Sequence, residues 1–526
     1  MAPVQQTSND LVNFLLNPFF LIAVVFWGII ALLVLVLGRF KKSKALSVFF
    51  PFIAMIRTTR LNKLLKSIAL KSPRTWKVLF TIGIFVSFAF TIYGFTYFVT
   101  NFIVLLTNFV ANTPPPPEAQ ITPLVPGLTI NFETFSYLII PILFVLTVHE
   151  FSHAIAANAD GIPIKSTGVL GMGVFFIIGF GAFVEPDEKS FKRGQFSGWA
   201  KTRMAAAGSF SNAFLAVIAL LIVLNFTSVI SLSWGPPSAL SIRTVYTTAQ
   251  GGHNEGVLFP GDVLHEINGT RLSDLNLSLS SYLYNQVHQN DTLACLITRN
   301  GVNQTIMVLT GLPPPEASNQ SIAFIGIQSE AWWPARDWLG TWLGGTFPNT
   351  LQLEFYWLWA ISISVTIFNM MPLPIFDGDK CIYEVISYFI KPRKEIQEVK
   401  DKFVIGKDSK TCELSHVNVQ GVNSVVVLPN RRNQEKESMA IELTEHMDYQ
   451  ITDSDGDGKM DHVSFELSDK DLAGITVEIS YNADVDTNES KKQYIMNIIR
   501  VIALVLIFGN FVISGITMGF TMPFFG

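Results

Sequence analysis

Between Phe135 and Ala157 the chain reads FSYLIIPILFVLTVHEFSHAIAA, an apolar stretch long enough to cross a bilayer that nevertheless carries His149, Glu150 and His153. Ionisable groups inside hydrocarbon are costly, so they default to a functional role with a specific partner. Residues i and i+4 share one helical face, so both imidazoles can point at a single metal ion. The glutamate between them is then placed to act as a base on water held by that metal. The chain has only 8 His in 526 residues, and the two in membrane-type sequence are four apart, which favours a metal site over a structural polar pair between helices. One motif thus constrains both the architecture, helices in a bilayer, and the chemistry.

Composition agrees. The chain is 49% hydrophobic and only 15% charged, with 43 Phe, and its mean hydropathy is +0.38. A soluble protein carries about 25% charged residues, so this is a polytopic membrane protein with soluble segments attached. A net charge of −4 argues against a nucleic-acid partner. Cys295, Cys381 and Cys412 are too few and too scattered for a disulfide framework or a thiolate metal site. The first ten residues hold no Lys or Arg, which predicts an uncleaved first membrane anchor.

The pattern along the chain predicts six spans. Pro18 to Gly38 is the first, since roughly 20 apolar residues cross the hydrocarbon. A basic, partly amphipathic stretch from Arg39 to Lys77 follows, expected on the cytoplasmic side with its apolar face on the membrane. The second span, near Val78 to Val110, leads outward to a Pro-rich loop at Thr113 to Pro117. The third, with the metal motif, then runs inward, and His149 sits about 20 Å along it, towards the cytoplasmic side. Ile164 to Val184 is apolar but crowded with glycine, which suits a buried β hairpin better than a helix. The fourth span, Met204 to Phe226, contains Gly208 and Asn212. Gly permits close helix approach and a membrane Asn bonds a neighbour, so helix adhesion and an active-site role both stay open.

Residues 231–330 form a soluble domain of short β-type runs between Gly and Asn turns. Six N-x-S/T sequons, at Asn225, Asn268, Asn276, Asn290, Asn303 and Asn319, fall between spans four and five, and only Asn488 lies elsewhere. That clustering agrees with an extracytoplasmic location. The fifth span, Phe355 to Met371, returns inward and ends in Asn369-Met-Met-Pro372-Leu-Pro374-Ile-Phe-Asp377-Gly378. The prolines break the helix, and span direction carries Asp377 to the same half of the bilayer as the His pair. A two-His zinc site needs a further protein ligand and an open position; Asp377 is the only acid near that end apart from Asp379. Residues 391–492 are a polar insertion containing Asp453, Asp455, Asp457 and Asp461 in a pattern like the first part of a calcium loop, although Ser464 stands where an EF-hand has Glu. A Ca²⁺-stabilised turn and a metal-free acidic turn both fit. The last span is Ile495 to Phe520, which puts both termini outside.

The paired motifs, H-E-x-x-H in one membrane helix and N-x-x-P-x-P-x-x-D-G at the end of a later one with a domain between them, resemble the site-2 protease family of intramembrane zinc metalloproteases. Pro51 to Arg60 and Gly181 to Glu188 look like its archaeal-type members. The resemblance implies a membrane α-helical fold of about six transmembrane helices, a membrane-associated β hairpin, an inserted PDZ-like α+β domain and a second soluble insertion. The divisions expected are 1–110, 111–230, 231–330, 331–390, 391–492 and 493–526. It implies one catalytic Zn²⁺ on His149, His153 and Asp377, with Glu150 as general base. Asn369 would help hold substrate or the developing oxyanion, and Asn212 likewise. The partners implied are transmembrane protein substrates and the lipid bilayer. A non-enzymatic receptor or chaperone working through the PDZ-like domain, and a transporter using the His/Asp cluster as an ion path, are the alternatives at this point.

Overall fold

The computed structural model describes residues 46–518 apart from 50–52, 59, 123, 125–128, 131, 175–176, 187–195, 276, 315–321, 405–410, 417–418, 429–440, 446, 453–461 and 466–475. The expected first span and the four aspartates of the expected calcium loop, Asp453, Asp455, Asp457 and Asp461, lie outside the described residues.

The basic segment is not one amphipathic stretch, as expected from its charges. Strands β1 (Leu46–Phe49) and β2 (Ile53–Thr58) pair antiparallel before helix α1 (Arg60–Lys71) begins. Leu65 and Ala69, four apart, are buried on α1 while Lys63 and Lys66 are exposed. Helix α2 (Pro73–Ala111) starts with proline, whose missing N–H is no loss in a first turn, and stops at Asn112 in the left-handed region at φ 53°. Helix α3 (Phe132–Asp160) carries the His pair and is followed by strands β3 (Ile164–Val174) and β4 (Ile177–Pro186). Together these give an antiparallel sheet in the order β1-β2-β3-β4, so the glycine-rich hairpin extends a sheet begun by the basic segment. Helix α4 (Gly198–Leu224) is capped by the Ser197 hydroxyl, which accepts from Ala200 N.

A short helix α5 (Phe226–Val229) leads into a strand-rich domain. Its sheet comprises β5 (Ala239–Val245), β6 (Val263–Ile267), β7 (Thr270–Arg271), β8 (Thr292–Arg299), β9 (Val302–Leu309) and β10 (Ile327–Trp332), with helix α6 (Leu279–Gln286) packed on it. The order is β10-β5-β6-β8-β9, with β7 on β6. Ile242, Leu264, Ile267, Leu283, Leu293 and Ile297 form its core. A collar of Phe226, Ile230, Trp234 and Trp333 joins the domain to the membrane helices, and short helix α7 (Trp338–Leu343) lies beside it.

Helix α8 (Phe347–Asn369) begins eight residues before the expected start of the fifth span. Hydropathy hides this turn because Asn349, Thr350, Gln352 and Glu354 are polar, yet a proline near the N-terminus and continuous backbone bonding make it helical. Helix α9 (Asp377–Phe389) follows the proline break. The polar insertion is strands β11 (Lys394–Val404), β12 (Thr411–Glu413), β13 (Val419–Leu428), β14 (Ile441–Leu443), β15 (Tyr449–Thr452), β16 (His462–Phe465) and β17 (Thr476–Asp486). They make a four-stranded sheet, β11-β17-β13-β14, and a three-stranded one, β12-β16-β15, over a core that includes Val425, Val463, Phe465, Ile479 and Tyr481. The last helix, α10 (Glu489–Met518), starts directly after β17.

Five helices among the described residues, α2, α3, α4, α8 and α10, are long and apolar enough to cross a membrane. Helix α4 lies at their centre. Its buried face is Ala205, Ala206, Ala207, Gly208, Ser209, Asn212, Ala213, Ala216 and Ala219. Small side chains let backbones approach closely, and polar groups tie them across: Ser87 Oγ donates to Ala206 O and Thr366 Oγ1 to Ser209 O. The outward faces expose Phe85, Ile92, Ile140, Phe214, Leu224 and Phe508, apolar surface suited to lipid rather than water.

Candidate metal centre

Helices α3, α4 and α9 converge on one site. His149 and His153 project from one face of α3, their rings 4.7 Å apart and nearly perpendicular. Asp377 comes from the first turn of α9. The chain reaches it by a reversal after Asn369: Pro372 and Pro374 prevent α8 from continuing, Ile375 takes a positive φ of 92°, and α9 starts back against the end of α8. Gly378 makes that approach feasible, because a Cβ there would overlap the Met370 carbonyl.

The ligand atoms cluster tightly. His149 Nε2 lies 3.1 Å from His153 Nε2 and 3.1 Å from Asp377 Oδ2. His153 Nε2 lies 3.0 Å from the same oxygen. Ligands held tetrahedrally at about 2.0–2.1 Å stand roughly 3.3 Å from one another, so the spacing fits a common ion. His149 and Asp377 are buried and His153 is partly buried.

The surroundings fit an ion as well. His153 Nδ1 sits 2.6 Å from the Met204 carbonyl. That bond holds the proton on Nδ1 and leaves the Nε2 lone pair facing its partners. Asn212 lies 2.9 Å from His149 Nδ1. Its buried Oδ1 is otherwise without a partner among the described residues; with the amide turned about χ2, that oxygen accepts the Nδ1–H and aims the second Nε2 inward likewise. Gly208 forms the floor: a methyl group there would lie 2.5 Å from His153 Nε2 and 2.6 Å from His149 Nε2. Only a bare backbone leaves the two nitrogens free to converge.

Asn369 and Asn212 take different places. Asn369 Nδ2 is 2.6 Å from Asp377 Oδ2 and 3.0 Å from His149 Nε2, beside the ligand cluster. Asn212 is behind His149, on the ring edge away from that cluster. Glu150 is one residue round the helix, and its Oε2 accepts from Val184 N on strand β4 at 3.0 Å. Strand β4 ends the sheet order, and on its outer edge Val184 N bonds to α3.

Three contributors escaped sequence reasoning. The Met204 carbonyl and the Val184 amide are backbone groups, which no residue pattern advertises. The third is Arg500, whose signal was visible: from Gln493 onward it is the one charged side chain in α10. Its fork grips Asp379, two residues beyond Asp377, with Nε–Oδ1 and Nη2–Oδ2 both 2.7 Å.

Comparison with known proteins bears on this arrangement. The model of Peptidase family M50 matches residues 137–404, from α3 through β11. A protein of Methanocaldococcus jannaschii, described as uncharacterized, is 32% identical over 137 residues, which are 26% of this chain and 33% of that relative. The match thus spans about a third of the relative's length.

Proposed function

Because this chain belongs to peptidase family M50, we propose that it is a zinc metalloprotease of the site-2 type, hydrolysing peptide bonds in transmembrane segments of membrane proteins. The observation that carries the reading is the convergence of His149 Nε2, His153 Nε2 and Asp377 Oδ2, within 3.1 Å of one another, with Glu150 adjacent. His149, His153 and Asp377 would hold the zinc, and imidazole with carboxylate is a suitable donor set for it. When bound, the ion supplies Lewis acidity, bringing the pKa of water towards 7 and polarising a peptide carbonyl.

The remaining steps belong to the chain's own groups. Glu150 takes the proton from the attacking water and later passes it to the leaving amine nitrogen. Asn369 Nδ2, at the rim of the ligand cluster, donates to the oxyanion as it forms. Asn212 and the Met204 carbonyl hold the two imidazoles in their working tautomers. A transmembrane helix hides its carbonyls in internal hydrogen bonds, so the scissile segment has to be extended first. The outer edge of β4 would take it as an added strand. The strand-rich domain of residues 239–332, read as PDZ-like, would select substrates on the outer side, with the catalytic site nearer the cytoplasm.

Glu150→Gln is the test. In proteoliposomes with a single-span substrate, the variant is expected to retain its metal and lose cleavage by about 100- to 10,000-fold. Cleavage at the wild-type rate would sink the assigned role of Glu150, and a wild-type protein that cleaves nothing would leave the non-enzymatic receptor in its place.

A further inference from the structure

The Asp379–Arg500 pair lies outside the ligand set, and it has an unusual setting. Arg500 is eleven residues into α10, about 16 Å along the helix from Glu489. A charge at that depth in a candidate span is expensive and marks a specific purpose. Here it is met by a bidentate carboxylate, the strongest geometry available to a guanidinium. A third contact runs from Nη1 to Asn497 Oδ1 at 2.9 Å.

We propose that Arg500 is a positioning residue for the metal centre: it fixes the rotation of α9 so that Asp377 is presented to the two histidines. This rests on the metalloprotease reading above. Residues two apart on a helix point about 200° from each other. Asp377 and Asp379 therefore leave the first turn of α9 on opposite sides, one to α3 and the other to α10. The turn is held between the two helices. Tyr383 is four residues beyond Asp379, on the same face, and its hydroxyl donates to Glu489 Oε2 at 2.6 Å. Helix α9 is thus fastened to α10 at two points along one side.

The far ends of the two helices are also joined. Asn488 Nδ2 donates to Lys391 O, Thr487 N to Arg393 O and Arg393 N to Asp486 Oδ1, at 3.0, 3.0 and 2.9 Å. These bonds close the neck of the inserted strand domain, so α9, α10 and the domain's β11–β17 pair form a braced unit. At the N-terminal end of α9 Phe376 has no capping side chain, and Asn369 Oδ1 accepts from Asp377 N at 3.4 Å. On the Asp379 side, the Arg500 fork is what opposes rotation of that turn.

The experiment uses full-length protein in detergent loaded with Co²⁺, whose visible absorption reports ligand geometry. Arg500→Ala is expected to weaken Co²⁺ binding 10- to 100-fold in chelator competition, the range typical of groups that orient a ligand, and to alter the absorption band. The charge swap Asp379→Arg with Arg500→Asp is expected to recover both. A merely structural pair would shift thermal stability and leave the spectrum alone. Should Arg500→Ala not fold, Arg500→Lys carries the reading, because it keeps the charge but not the fork: an unchanged spectrum and affinity would overturn the proposal. Wild-type affinity and absorption in a folded Arg500→Ala would do the same. If wild-type protein showed no His149-dependent Co²⁺ absorption, the metal-centre reading itself would fail, a separate result.

Discussion

Gly208→Ala is the most economical perturbation of this centre, since it adds one methyl group and removes nothing. The new Cβ would lie 2.5 Å from His153 Nε2 and 2.6 Å from both Cε1 and Nε2 of His149. Relaxed contacts between such atoms are about 3.5 Å, so two rings must each give way by close to 1 Å. Neither can do so freely: His153 is tied to Met204 O and His149 to Asn212. Nor can α4 retreat, because its face from Ala205 to Ser209 is buried against the other helices. Overpacking of this kind costs about 1–3 kcal/mol. Placed on the ligand geometry, at 1.4 kcal/mol per tenfold, that is roughly a 5- to 150-fold loss of metal affinity. Chelator competition with metal analysis reads the loss. Gly421→Ala is the control, because a Cβ there meets nothing within 4 Å. Wild-type metal affinity in Gly208→Ala would refute the claim that α4 closes on the imidazoles as described.

Other outcomes follow from the same geometry. Asn212→Ala leaves His149 Nδ1 without its partner and is expected to lower metal affinity 10- to 100-fold, measured by the same competition. Gly378→Ala forces a Cβ onto the Met370 carbonyl and is expected to cost about 1–3 kcal/mol, seen as a lower Tm in detergent together with reduced metal content. Burial would raise the Asp486 carboxyl, but the Lys492 ammonium and the Arg393 and Asn488 amides outweigh it and hold the group below the usual range. The unfolded chain then binds more protons than the folded one as pH falls, so this stabilisation is full above the ordinary carboxylate pKa and is lost as pH falls through the depressed one. Asp486→Asn should therefore destabilise the β17–α10 junction at neutral pH, with the difference from wild type shrinking as pH falls through the depressed pKa, followed by thermal melts across pH.

Residues 135–157 and the proline-broken end of α8 were readable without coordinates because their information is local. Apolar length predicts spans, i and i+4 spacing puts His149 and His153 on one face, and Pro372 with Pro374 stops a helix. Glycine crowding likewise predicted a hairpin at 164–184, and strands occupy Ile164–Val174 and Ile177–Pro186. Local signals misplaced the beginning of α8, where polar residues start a helix that is bounded by backbone bonding rather than hydropathy. They also missed β1 and β2, a pair joined to the hairpin through β3, which lies more than a hundred residues along the chain from β2.

What the sequence determined by itself, then, is a set of helices that must pack in lipid and one face able to grip a metal. Which groups complete that face was decided only when the chain folded. Asp377 and Asp379 are equally acidic and two residues apart, yet one meets His149 across 228 residues of sequence and the other meets Arg500. Asn212 meets the Nδ1 edge of His149, and Val184 offers its amide to Glu150, through packing alone. The reason is physical: spacing along a helix sets the direction of a side chain, but what waits in that direction depends on how distant helices are pressed together.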